Sequence, residues 1–275
     1  MNAPHPALAA FLAHLPDQVF ALLLVFARVS GAVVLLPGLG EQEIPPPVRL
    51  AIALVLSVLL VPGLGAPGLG APGLGAPGLG AMPALPAAPF ELARLMAAET
   101  VTGLWLGFLA RTMALALPAA GSLAAGALGL ANVLQPNADL GPGASALATA
   151  LQRAVPAVVL AANLHVPLLL ALAGSYALVP IGQVLPAPSL GAVLPAVADA
   201  FALALRLAAP FLFAGLLWSG LLGLAVRLVP RLQIYFAAMP GQVLAGLLLF
   251  AGLVPMLLEV WTRAMADAFA LLAGH

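Results

Sequence analysis

The sequence predicts an all-α, polytopic, membrane-associated protein built of helical hairpins with broken helices. Three observations lead there. Of the 275 residues, 64% are hydrophobic and 7% charged, against about 25% charged in a typical soluble domain; the mean hydropathy is +1.16. Residues 154–198 and 232–258 contain no Asp, Glu, Lys or Arg, and a run of about 18 uncharged apolar residues suffices to cross a bilayer. These runs are also interrupted, the first by Pro156, Pro167, Pro180, Pro186, Pro188 and Pro195, the second by Pro240-Gly241 and Pro255. In hydrocarbon every backbone N–H and C=O needs a partner, so such breaks survive only where protein or a water-filled cavity covers them.

Taken in order, the chain opens on an amphipathic or loosely ordered lead-in over residues 1–15. The first apolar segment, residues 19–36, is expected to be a retained span: nothing before Arg28 is basic, as a signal peptide's leading region would be. A second segment covers residues 48–61. Residues 62–81 then repeat Pro-Gly-Leu-Gly-Ala four times. Proline removes a backbone donor and glycine favours turns, so this stretch is expected to be a chain of turns. Its expansion within a surface loop costs little entropy. Further segments follow at 100–118, 154–180, 201–226 and 241–258, with a weaker Ala- and Gly-rich stretch at 121–135 that is too short to span alone. One domain is expected over 1–275, with the repeat as a loop inside it. The basic pair Arg227 and Arg231 favours a cytoplasmic side locally, but the charges do not fix a topology.

Composition excludes several functions. Net charge is zero, which argues against a nucleic-acid-binding face. With no cysteine, disulfides, thiolate metal sites and Cys nucleophiles are ruled out. No phosphate-cradling, dinucleotide-binding or zinc-protease motif occurs, so no catalytic, cofactor or metal residue is assigned and the chain is read as a non-enzyme. His165, alone in an apolar run, is a poor metal site and is expected to hydrogen-bond Asn163 or Ser175. Ser145 followed by His165 is only faintly like an intramembrane serine protease, since the motif's final Gly is missing. Asp139 sits in a polar turn, and Glu259 with Arg263 fits a helical i,i+4 ion pair. The glycines at 121, 126, 129, 141 and 143 fit either close helix packing or a rearrangeable loop lying in a pore.

Several segments together resemble one family. Phe26-Ala27-Arg28-Val29-Ser30-Gly31, Leu36-Pro37-Gly38, Ile44-Pro45 and Val48-Arg49-Leu50 match the N-terminal signature of the FliR family of type III export-gate proteins. Ala120-Gly121, Leu134-Gln135-Pro136, Asn163-Leu164-His165 and Val179-Pro180-Ile181-Gly182 follow in order. Pro210, the Arg227–Pro230–Arg231 turn and Met239-Pro240 match the last third. The resemblance implies a structural, pore-forming subunit of the flagellar export gate in the bacterial inner membrane and basal body. It would assemble with FliP-like and FliQ-like subunits and with FlhB-like and FlhA-like components. It would carry no cofactor and would help conduct unfolded rod, hook and filament proteins. By position, the family's pore plug falls on residues 121–139, with Gly121, Gly126, Gly129, Asn132, Pro136 and Asp139 as its candidates. Arg28, Pro37, Arg49, Asn163, His165, Pro180, Pro210, Pro230 and Pro240 are the family-signature structural positions. This plug departs from the family in lacking Glu, Gln and Met within Ser122-Leu123-Ala124-Ala125-Gly126.

Two other readings compete. An injectisome homologue of the same family differs little at this level, although the segment around Arg231 to Met239 is more flagellar in character. A secondary transporter would carry polar groups within its broken helices and related halves; here the breaks hold mostly Ala, Gly, Leu and Pro.

Overall fold

The computed structural model describes residues 6–41, 43–63, 83–130, 146–186, 191–228 and 234–273. Among these are eight α-helices and no strand: α1 Pro6–Leu35, α2 Pro46–Gly63, α3 Pro89–Ala114, α4 Ala116–Ala127, α5 Ala146–Ala161, α6 His165–Leu178, α7 Val193–Leu228 and α8 Ile234–Ala273. Among the described residues, each apolar segment of the sequence lies mainly on helix, with 154–180 divided between α5 and α6. Four stretches are long and apolar enough to cross a membrane: Leu15–Leu35, Pro89–Ala127, Val193–Leu228 and Ala238–Ala270. The pair α5 and α6 would make a fifth, bent by 78° at its break. At about 1.5 Å per residue, the 36 residues of α7 exceed a hydrocarbon core of about 30 Å.

Some expectations are corrected. The lead-in is helical from Pro6, whose fixed φ and missing N–H suit the first helical position. Pro156, Pro210, Pro240 and Pro255 lie inside continuous helices rather than at bends. The breaks fall elsewhere. Between α3 and α4, Leu115 is the step: Pro118 has no N–H to offer the carbonyl of Ala114, and its ring crowds that carbonyl. Between α5 and α6, Asn163 has φ +56°. Its N–H bonds the carbonyl of Leu160 at 3.2 Å, and that of Leu164 bonds the carbonyl of Val159 at 2.9 Å. This bonding pattern is the Schellman termination, with Asn in the left-handed position that glycine usually fills.

Contacts divide the chain into two compact units. The first comprises Met1–Arg111, His165–Val193 and Ala268–His275. Within it α1 pairs with α2, and a core of Phe20, Leu24 and Leu95 is flanked by Leu92, Met96 and Ile181. Where α1 meets α3 the backbones nearly touch. A Cβ on Gly31 would lie 2.7 Å from the carbonyl oxygen of Thr100, one on Gly107 2.7 Å from that of Ala32, and one on Gly103 would overlap that of Arg28. Gly103 and Gly107 are one turn apart, the small-xxx-small arrangement that permits such approach.

The second unit comprises Thr112–Leu164 and Leu194–Asp267. Here α4 packs on α5, burying Leu117, Ala120, Ala124 and Ala125 of α4 and Leu147, Leu151, Val155 and Val159 of α5. Helix α7 buries a stripe of Ala200, Leu203, Ala204, Leu207, Ala208, Phe211 and Gly215, and Phe211 meets Phe250 of α8 with centroids 5.8 Å apart.

Candidate functional site

Two places concentrate polarity or backbone constraint, one in each unit. In the first unit Arg28, on the buried face of α1, meets Glu99 of α3. Both side chains are fully buried. Arg28 Nε donates to Glu99 Oε2 at 2.6 Å and Nη2 donates to Oε1 at 3.2 Å, the two-pronged geometry that favours Arg over Lys. Arg28 Nη1 donates to Ser175 Oγ of α6 at 3.3 Å, and the Ser175 hydroxyl in turn donates to the carbonyl of Leu172 at 2.7 Å. The guanidinium carbon lies 4.1 Å from the centroid of the Tyr176 ring, a cation–π contact. The Gly182 N–H completes the cluster, donating to Glu99 Oε1 at 2.7 Å. Gly182, at φ +82°, is the third residue of the turn closed by Gln183 N–H to the carbonyl of Pro180, and such a turn needs a positive φ there.

This cluster ties α1, α3, α6 and the 180–183 turn to one point. The carboxylate oxygens are occupied by Arg28 and Gly182, with none left facing solvent, so the arrangement holds geometry rather than passing protons along a relay. The Tyr176 hydroxyl is buried without a partner among the described residues. A second, less buried pair joins Arg111 of α3 to Glu41 after α1, at 2.5 and 3.1 Å.

In the second unit the end of α4 is the constrained place. The N–H of Leu130 bonds the carbonyl of Ala125 at 2.9 Å and that of Gly129 bonds the carbonyl of Gly126 at 3.3 Å, with Gly129 at φ +71°. This too is a Schellman termination. Helices α7 and α8 close on it. A Cβ on Gly215 would overlap the carbonyl of Ala127, one on Gly246 would lie 3.1 Å from Leu128 Cβ, and one on Gly129 2.8 Å from Gln242 Nε2. Ala127, Leu128, Gly215, Trp218, Gln242 and Gly246 also line a small cavity of about 80 Å³.

The predicted plug residues therefore separate. Gly121 is buried in α4 against Leu151 and Ala148 of α5, so there the glycine serves close packing. Gly126 is exposed, with open space where a side chain would go. The sequence left two readings open for these glycines; residues 121–127 are helix. Asn132, Pro136, Asp139 and Ser145 lie outside the described residues.

Of the signature positions, Arg28 belongs to the buried cluster. Pro37 is buried in the turn after α1, and Arg49 donates from Nε to the carbonyl of Ile44 at 3.1 Å. Asn163 makes the 78° break, and Pro180 begins the turn that presents Gly182. Pro210 and Pro240 lie on exposed helix faces, and Pro230 is outside the described residues. The bond expected from His165 to Asn163 or Ser175 is not found from Nδ1, which is buried without a partner among the described residues, and Ser175 pairs with Arg28. Glu259 and Arg263 do form their i,i+4 pair. Glu99 and Arg111 were not singled out by the sequence. A carboxylate just ahead of the 100–118 run was the available signal for Glu99.

The model of the bacterial export proteins, family 1, matches residues 19–268, which takes in both units and both constrained places. The chain belongs to this family. Among curated members of bacterial export family 1, the chain is similar to the flagellar biosynthetic protein FliR of Caulobacter vibrioides, at 30% identity over 92% of this chain and 96% of that protein. It is also similar to the flagellar biosynthetic protein FliR of Escherichia coli K12, at 26% identity over 92% of this chain and 89% of that protein. Bacterial export family 1 membership and the apolar helices agree on a membrane-embedded protein of the export class.

Proposed function

We propose that the chain is a pore-forming subunit of the flagellar type III export gate in the bacterial inner membrane. It would help conduct unfolded rod, hook and filament proteins out of the cytoplasm. The observation that carries this reading is similarity to two flagellar FliR proteins across nine-tenths of the chain. The physical character is compatible: helices interrupted or longer than a bilayer satisfy their backbone groups best against other subunits or along a protein-lined conduit. The partners on this reading are FliP-like and FliQ-like gate subunits, with FlhB-like and FlhA-like export components. The glycine-bearing stretch 121–139 would act as the plug, sealing by close packing and dewetting.

Deletion of the gene tests the proposal. It should abolish filament assembly, motility and secretion of hook and filament proteins while the basal membrane ring still forms, and the wild-type gene should restore all three. Normal motility and secretion in the deletion strain would refute it.

A further inference from the structure

The end of α4 is held more tightly than a loop entrance requires. Gly129 takes a left-handed φ that only residues of its kind adopt easily. Leu128 and Leu130 are buried. Two helices remote in sequence approach through glycine: Gly215 of α7 on the Ala127 carbonyl and Gly246 of α8 on Leu128. The third contact is made by Gln242, the sole polar side chain between residues 237 and 258, whose Nε2 stands 2.8 Å from where a Cβ on Gly129 would lie.

We propose that α7 and α8 form a fixed seat for the end of α4, and that Gln242 is the positioning residue that sets the direction in which the chain leaves it. The seat remains closed while substrate is exported. Residues 116–130 are thus an anchor that keeps its place during transport. This rests on the reading of 121–139 as part of the conduit, and it narrows that reading: the first ten positions of the stretch are frame rather than moving part.

The natural chain has no cysteine, so an engineered pair is unambiguous. In the full-length protein, expressed in the deletion strain, Leu128→Cys with Gly246→Cys places the two Cβ atoms 3.1 Å apart before relaxation, a few tenths of an ångström short of the usual disulfide range of about 3.5–4.5 Å. Mild oxidation should cross-link the pair, and the cross-linked protein should keep secreting hook and filament proteins. Failure to cross-link, or secretion lost on oxidation and recovered on reduction, would overturn the fixed seat.

Gln242→Ala should raise ion leak through the membrane at an unchanged level of membrane-inserted protein. Gln242→Met, which keeps the side-chain volume over Gly129, should restore the seal. Gly126→Leu separates this inference from the plug reading, because Gly126 is exposed, a Cβ there would meet nothing within 4 Å, and the seat contacts are left in place. Altered leak in Gly126→Leu with none in Gln242→Ala refutes the positioning role. No change in Gly126→Leu agrees with residues 121–130 being frame, while the cross-link decides whether the seat exists.

Discussion

Replacing Glu99 by Gln keeps the size of the side chain and removes its charge. In the native protein Glu99 accepts three hydrogen bonds, two from Arg28 and one from the Gly182 N–H. The amide can accept through one oxygen only, and its NH₂ group faces the donors of Arg28. Arg28, fully buried, then lacks its counter-charge. Breaking a buried pair from one side costs about 3–5 kcal/mol, and a poorly satisfied Gly182 N–H adds about 1–3 kcal/mol. A loss of this size approaches the whole stability of a typical domain, about 5–15 kcal/mol. The assay is thermal unfolding of purified protein in detergent, alongside the level of inserted protein in membranes. The decisive comparison is a double-mutant cycle. Arg28→Met with Glu99→Leu removes both charges and fills much of their volume, so it should recover the part of the loss due to the unpaired charge, because an apolar replacement of a buried pair is often close to neutral; the share of the Gly182 N–H, which loses its acceptor, stays lost. Ser175 keeps its bond to Leu172 and is not stranded. A Glu99→Gln protein as stable as the native one, or a double variant as unstable as the sum of the singles, would refute the reasoning.

Gly103→Ala should destabilise by about 1–3 kcal/mol or more, the range for overpacking, because the new methyl group meets the rigid Arg28 carbonyl. Gly220→Ala, with nothing within 4 Å, is the matched control and should be neutral or stabilising by up to about 1 kcal/mol; equal effects at both positions in detergent melts would contradict the α1–α3 contact. Asn163→Ala should cost about 1–2 kcal/mol, the penalty of left-handed backbone for an ordinary residue. Asn163→Gly should be tolerated in the same measurement, and the reverse order would rule out the Schellman account of the 78° break. Removing two of the four repeats within 62–81 should leave motility near normal, since shortening a loop by half changes its closure free energy by only about 0.6 kcal/mol; a strong secretion defect would show the repeat to be functional.

Much of the fold was legible because composition and run length are direct statements about solvent. Among the described residues, each apolar segment read from the sequence lies mainly on helix, and the 154–180 segment is broken within its length as its prolines implied. The place of the break was misread for a physical reason. A proline inside a helix can be accommodated when neighbours satisfy the freed carbonyl, so Pro156 and Pro210 stay within helices, whereas Asn163, the residue with the left-handed φ, makes the bend. The stretch at 121–135 was set apart from 100–118 although nothing polar divides them; only Pro118 does, and it costs one step at Leu115. The buried cluster was half legible. Arg28 was legible as a family-signature position, but Glu99 is 71 positions away and lies at the edge of its run, where a carboxylate is easily taken for solvated. Gly182 was legible only as a signature residue, because its role depends on a turn that presents its N–H to Glu99.

The distribution of polarity follows from the environment these helices occupy. Among lipid tails as apolar as leucine, burial of leucine gives little preference for one helix pairing over another. Ala- and Leu-rich faces such as those of α7 and α8 therefore leave the register of packing poorly specified. Two kinds of residue supply it here. Glycines such as Gly103 and Gly215 let backbone meet backbone at one height only, because a shift of one residue would bring a side chain against the same carbonyl. The Arg28–Glu99 pair acts in the same way: sliding α1 past α3 by one position would leave a charge unpaired in a dry interior, where its desolvation is not offset. The pair lies about one helical turn before Gly31 and Gly103 and about two before Gly107, so the attractive and the excluding elements specify the same crossing. A chain with 7% charged residues can thus fix its architecture with a handful of them, provided that each is placed where no other register would satisfy it.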